Sequence, residues 1–79
     1  IYTWRFCPFC IKAKSLLEKK NITFTEHKID GDDNARDLMM ERANGKRTVP
    51  QIFINNQSIG GCDDLYELEQ ENKLDLLLN

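Results

Sequence analysis

Two cysteines three positions apart, Cys7 and Cys10, frame Pro8-Phe9 where a β-branched and aromatic run gives way to helical periodicity. Two intervening residues bring the thiols close enough to form a small-loop disulfide that can be opened and closed reversibly. Cys7 falls just ahead of the helix, where free backbone N–H groups and the positive dipole end stabilise a thiolate. The thiolate is the nucleophile, so a lowered pKa makes Cys7 the attacking sulfur at neutral pH. Cys10, inside the first turn and more buried, is then the resolving thiol. The alternative is half of a zinc site completed by Cys62 and His27. Zinc sites commonly pair two knuckles, whereas these ligands are isolated in sequence and Pro8-Phe9 lacks the knuckle glycine. The context favours redox chemistry.

The elements that must hold these cysteines follow from the periodicity. Ile1 to Trp4 is expected as a short strand. From Ile11 to Lys20 the pattern is helical, with Cys10, Ala13, Leu16 and Leu17 on one face. Pro8 suits the first turn, where its missing N–H costs nothing. Residues 22–29 are expected as a second strand, ended by Asp30-Gly31. Asp32 or Asp33 then caps a second helix with Ala35, Leu38, Met39 and Ala43 on its buried face. Pro50 to Ile54 is a third strand, apolar on both faces, and Asn55-Asn56 turns it into a fourth at Gln57–Ile59. Asp64 at the cap and Glu67 three residues on predict a third helix. The leucine-rich tail, Leu74 to Leu78, is expected to pack as a last amphipathic turn.

Seventy-nine residues allow one domain, 1–79, with a thin core. Apolar residues at 41% and charged residues at 30% argue against disorder. No apolar run approaches the roughly 18 residues that cross a bilayer, so no membrane role is expected. No secretory leader is expected ahead of the first strand, although the chain opens on Ile1. The net charge of −2 is unevenly spread, basic over residues 1–29 and acidic over residues 63–79. A pI near 5.3 argues against nucleic acid as the main partner. An odd count of three cysteines, two of them close together, points to a reducing compartment and to chemistry, not scaffolding.

Three segments together resemble the signatures of a glutaredoxin: Cys7-Pro8-Phe9-Cys10, Thr48-Val49-Pro50 with the apolar strand Gln51–Ile54, and Gly60-Gly61-Cys62-Asp63-Asp64-Leu65. The resemblance spans nearly the whole chain and matches the short bacterial dithiol members. It implies an α/β, thioredoxin-like fold, a four-stranded mixed sheet flanked by three helices in the order β-α-β-α-β-β-α. It implies catalytic Cys7 and Cys10, and glutathione contacts from Phe9, Thr48, Val49, Pro50, Gly61, Cys62 and Asp63. Val49-Pro50 would be a cis junction, affordable only for an X–Pro bond, leaving the Val49 backbone free to pair with glutathione. Exposed N–H groups at the third helix suit a carboxylate, and the Asp63 carboxylate suits an ammonium group. Phe9 replaces a tyrosine and keeps the ring. Where many relatives carry a lysine, three residues before the first cysteine, this chain has Trp4 with Arg5 beside it. A second such position falls on Asp37, beside Arg36. The glutathione glycine carboxylate is therefore expected at Arg5 and Arg36, or at Thr48 and Arg47. Cys62 is expected as a small filler, with an oxidation-sensitive thiol as the alternative.

The resemblance further implies a cytoplasmic, glutathione-dependent thiol–disulfide oxidoreductase, a monomer with glutathione as co-substrate and neither metal nor nucleotide. Its partners would be glutathionylated or disulfide-bonded proteins, ribonucleotide reductase among them, with glutathione reductase acting indirectly. Two other readings are an iron–sulfur cluster carrier ligated through glutathione and a thioredoxin-like hydrogen donor reduced by a flavoenzyme. Pro8 after the first cysteine argues against the former, and the missing Trp-Cys-Gly-Pro-Cys sequence against the latter.

Overall fold

A computed structural model of the chain describes residues 1–78; Asn79, the last position of the expected domain, lies outside the described residues. The elements run β1 (Tyr2–Thr3), α1 (Pro8–Lys19), β2 (His27–Lys28), α2 (Asp33–Arg42), β3 (Ile52–Ile54), β4 (Gln57–Gly60), α3 (Cys62–Gln70) and α4 (Leu74–Leu78). β1 pairs in parallel with β2, Tyr2 opposite His27, and α1 is the crossover that parallel pairing requires. β3 and β4 form an antiparallel hairpin. Asn55 and Asn56, at φ 52° and 66°, make its turn with both residues in the left-handed region that asparagine tolerates. One antiparallel bridge joins the pairs: Tyr2 donates to the Gln51 carbonyl at 2.8 Å, and Gln51 donates back at 3.1 Å.

The order of pairing is thus β2-β1-β3-β4, the mixed arrangement expected, but with shorter ladders. The second strand pairs only over His27–Lys28, because its partner β1 is two residues long. Pro50 has no N–H to give a ladder, so the link from β1 to the hairpin is the single residue after it. The leucine-rich tail forms a short helix, α4, making four helices among the described residues instead of three. Leu74 is fully buried and anchors it against α3.

Strand alternation sends side chains to opposite faces. Ile1, Ile52 and Ile54 join Ala13, Leu16 and Leu17 of α1 and Cys62 and Leu65 of α3 in one core cluster. Tyr2 and Phe53 join Ile29, Met39 and Val49 in a second, beneath α2. The sheet is therefore a middle layer, with α1 and α3 on one face and α2 on the other. The buried face of α1 consists of the four residues its periodicity predicts. α2 departs from expectation: Met39 is its one fully buried residue, and Leu38 lies exposed, because the stripe it buries is narrow.

The charge asymmetry of the sequence is a set of contacts in the fold. Lys20, at the end of α1, donates to Asp75 of α4 at 2.8 Å and pairs with Glu69 of α3 at 2.9 Å. The Tyr66 hydroxyl of α3 donates to the Lys12 carbonyl at 3.1 Å, with the Lys12 ammonium over the Tyr66 ring. These bonds tie α1 to α3 and α4 at the surface, over the core cluster that the three share. Among the described residues no helix is long and apolar enough to cross a membrane.

Candidate active site

Cys7 is the N-cap of α1. It adopts extended backbone geometry and its Sγ accepts a hydrogen bond from the Cys10 N–H at 3.2 Å. Pro8 occupies the first helical position, and the first turn holds no acidic residue to offset the dipole. An N–H aimed at a sulfur at a helix N-terminus favours its anionic form. Cys7 and Cys10 are joined as a disulfide, their Cα atoms 5.1 Å apart. Cys7 is buried at 8% exposure and Cys10 at 1%. Of the two, Cys7 is the more accessible to an incoming sulfur, which fits an attacking and a resolving role respectively.

The Val49–Pro50 peptide bond is cis. The turn it makes brings the Val49 carbonyl oxygen to 4.0 Å from Cys7 Sγ. Gln51, buried beneath this turn, holds it: its Nε2 donates to the Thr48 carbonyl at 2.9 Å and to Thr48 Oγ1 at 3.2 Å.

α3 starts earlier than the sequence predicts. Gly61 is the N-cap, and Asp64 sits at the third helical position with Oδ2 accepting from the Gly61 N–H at 3.0 Å. The physical reason is Gly60. At φ 114° it bends the chain as only glycine does readily, and a Cβ there would collide with the Asp64 carboxylate. Gly61 approaches the cis turn closely; a Cβ on it would stand 3.4 Å from the Pro50 carbonyl oxygen. Gly61 offers no side chain to cap the helix, so the first-turn N–H groups of α3 are free for an anion.

These pieces enclose a groove of about 300 Å³. All seven expected glutathione-contact residues, Phe9, Thr48, Val49, Pro50, Gly61, Cys62 and Asp63, line it. So do three that sequence reasoning did not place there: Lys46, Gln51 and Asp64. A cation two residues before Thr48 was the available signal for Lys46; a glutamine after a proline carries none. The basic residues offered for the glycine carboxylate are elsewhere. Arg5 pairs with Asp30 at 3.9 Å, and the Arg36 guanidinium lies 4.9 Å over the Trp4 ring while donating to the Arg47 carbonyl at 3.1 Å. Neither they nor Arg47 lines the groove, whereas Thr48 does.

Cys62 is buried at the groove wall, and burial pushes its thiol up from the ordinary value, with Asp63 adding to the rise and Lys12 opposing it. His27 stacks on Tyr2 at the surface, ring centroids 5.0 Å apart. Among the described residues, Cys7, Cys10, Cys62 and His27 assemble no metal-binding cluster.

The chain is similar to known proteins in sequence and fold. The family model described as glutaredoxin matches residues 1–59. A probable glutaredoxin of Synechocystis sp. is 63% identical over 78 residues, covering 99% of this chain and 72% of its own length. Glutaredoxin 3 of Escherichia coli K12 is 53% identical over 78 residues, covering 99% and 93% respectively. Among solved structures, the crystal structure of a buckwheat glutaredoxin–glutathione complex superposes with a TM-score of 0.90 at 28% identity, over 98% of this chain and 72% of that one.

Proposed function

The chain belongs to the glutaredoxin family, and on that premise we propose that its groove seats glutathione with the glutathione sulfur against Cys7. The protein is a glutathione-dependent thiol–disulfide oxidoreductase. What carries the assignment of residues is one observation: seven positions scattered from Phe9 to Asp63 converge on a single groove whose wall, at Val49, adjoins the Cys7 sulfur. In this reading the Val49 backbone pairs with the tripeptide like an added strand. The free N–H groups of α3 take the γ-glutamyl carboxylate, and Asp63 takes its ammonium group. Lys46 and Thr48, at the other end, take the glycine carboxylate.

On the monothiol route the Cys7 thiolate attacks the glutathionyl sulfur of a protein–glutathione disulfide. The Cys7–glutathione bond forms as the old S–S bond breaks, and the protein sulfur leaves with the electron pair and picks up a proton. A second glutathione thiolate attacks the same glutathionyl sulfur, releasing Cys7 and oxidised glutathione. On the dithiol route Cys7 attacks a protein disulfide, Cys10 displaces the protein from Cys7, and two glutathiones reduce the Cys7–Cys10 bond. Exchange favours a thiol whose pKa lies near ambient pH, which the Cys10 N–H and the helix end promote. The proposed setting is the cytoplasm, with glutathionylated and disulfide-bonded proteins as substrates and ribonucleotide reductase among the candidates.

The test is NADPH-coupled turnover of a glutathione mixed disulfide, with glutathione and glutathione reductase present. Wild type and Cys10→Ser turn over and Cys7→Ser is inactive. Turnover by Cys7→Ser, or an inactive but folded wild type, overturns the assignment.

A further inference from the structure

The seven aromatic residues divide by role, and one has none. Tyr2 and Phe53 pack against each other under α2, and Phe24 packs on the other core cluster. Tyr66 lies under Lys12, Trp4 under Arg36, and Phe9 lines the groove. Phe6 has no aromatic or cationic partner among the described residues, does not line the groove and is 90% exposed. It immediately precedes Cys7, so its Cα lies about 3.8 Å from that of Cys7 across one trans peptide. An apolar ring exposed to water one residue from a reactive sulfur is a contact surface without a partner among the described residues.

We propose that Phe6 is a specificity-determining residue of the disulfide exchange, receiving an apolar side chain adjacent to the disulfide cysteine of a polypeptide substrate. This rests on the proposed reading of the groove. A protein–glutathione disulfide has two halves. If the groove takes the glutathione half, the polypeptide half must lie outside it, with its own sulfur only two S–S bonds, about 4 Å, from Cys7 Sγ. Residues flanking the substrate cysteine then fall over whatever surrounds Cys7 outside the groove, and Phe6, next to Cys7 in the chain, is the most exposed of the large apolar side chains. The neighbouring Arg5 is well exposed and pairs with Asp30 at 3.9 Å, and a cation does not distinguish neutral substrates, so the aromatic face is the feature that does. Burial of an apolar side chain against the ring is available only to substrates that carry one next to the cysteine.

The experiment uses two glutathionylated peptides that differ only in having Leu or Ser on both sides of the cysteine. Wild type is expected to favour the Leu peptide roughly tenfold in kcat/KM, the low end of discrimination by apolar contact. Phe6→Ser brings the ratio close to one, and Phe6→Tyr, which keeps the ring, retains it. A wild-type ratio near one, or a preference that survives Phe6→Ser, overturns the proposal while leaving the groove assignment standing. Failure of wild type to turn over either peptide overturns the groove assignment itself, and this inference with it.

Discussion

The Cys7 sulfur stands 4.0 Å from the carbonyl oxygen of Val49, 42 residues further along the chain. Nothing local holds these two groups together. α1 is held by the core cluster it shares with α3, and the cis turn is held by the Tyr2–Gln51 bridge and by the Gln51 amide beneath it. The site therefore depends on three separate anchors, and loosening any one should be visible in glutathione use before it is visible in the cysteine chemistry.

Gly60 sets where α3 begins. Gly60→Ala forces a side chain against Asp64 at a positive φ, and is expected to destabilise by at least about 1 kcal/mol, lowering Tm by roughly 4–8 °C or more. It also raises KM for glutathione, because the first turn of α3 moves. Gly61→Ala, at φ −93° and in ordinary contact with Pro50, should change Tm little. Thermal melts and glutathione titration of both variants check this, and the reverse order of Tm values would contradict it.

Cys62 is the next case. Its burial and its raised pKa keep it a protonated thiol at neutral pH. In the reduced protein, brief iodoacetamide treatment at pH 7 is expected to place one adduct, on Cys7, and to leave Cys62 unmodified. Peptide mapping by mass spectrometry reads the outcome. Rapid labelling of Cys62 would restore it as an oxidation-sensitive thiol.

Glu26 supplies an acid-dependent contribution to stability. Its carboxylate accepts from Lys14 Nζ at 2.8 Å and from Thr3 Oγ1 at 2.6 Å, and these bonds, Lys14 first, hold its pKa below the usual carboxylate value. A depressed folded-state pKa means stability that is fully present above the unfolded value, about 4.3, and is lost as pH falls through the lower folded value. Glu26→Gln should lower Tm at pH 7 by an amount worth at most about 1 kcal/mol. It should also flatten the fall in Tm between about pH 5 and pH 3. Parallel acid profiles for wild type and variant would contradict the assignment.

The parts of this molecule legible in its sequence are those set by local periodicity or by a short motif. The α1 face, the alternation of Ile52, Phe53 and Ile54, and the Asn55-Asn56 turn follow from spacing and residue type alone. The convergence of seven residues on one groove was expected from the three motifs together. What escaped is set by tertiary context. Periodicity gives the direction of a helix face but not its width, so Leu38 was placed in the core although α2 buries little beyond Met39. Capping preference placed the cap of α3 at Asp64, three residues beyond its actual cap Gly61, because the conformation of Gly60 outweighs it. Arg36 looked available as a carboxylate ligand, yet the Trp4 ring and the Arg47 carbonyl occupy it. Lys46 lines the groove with Thr48 and the first turn of α3, a placement that no local periodicity marks.

The central claim is that the groove holds the glutathione half of a mixed disulfide and presents its sulfur to Cys7. The most direct measurement is a single turnover of the Cys10→Ser variant with a glutathionylated peptide in the absence of free glutathione, followed by intact and peptide mass spectrometry. One glutathionyl group on Cys7 and the peptide released as a free thiol are expected. A peptide disulfide-bonded to Cys7 with glutathione released, or a glutathionyl group on Cys62, would contradict it.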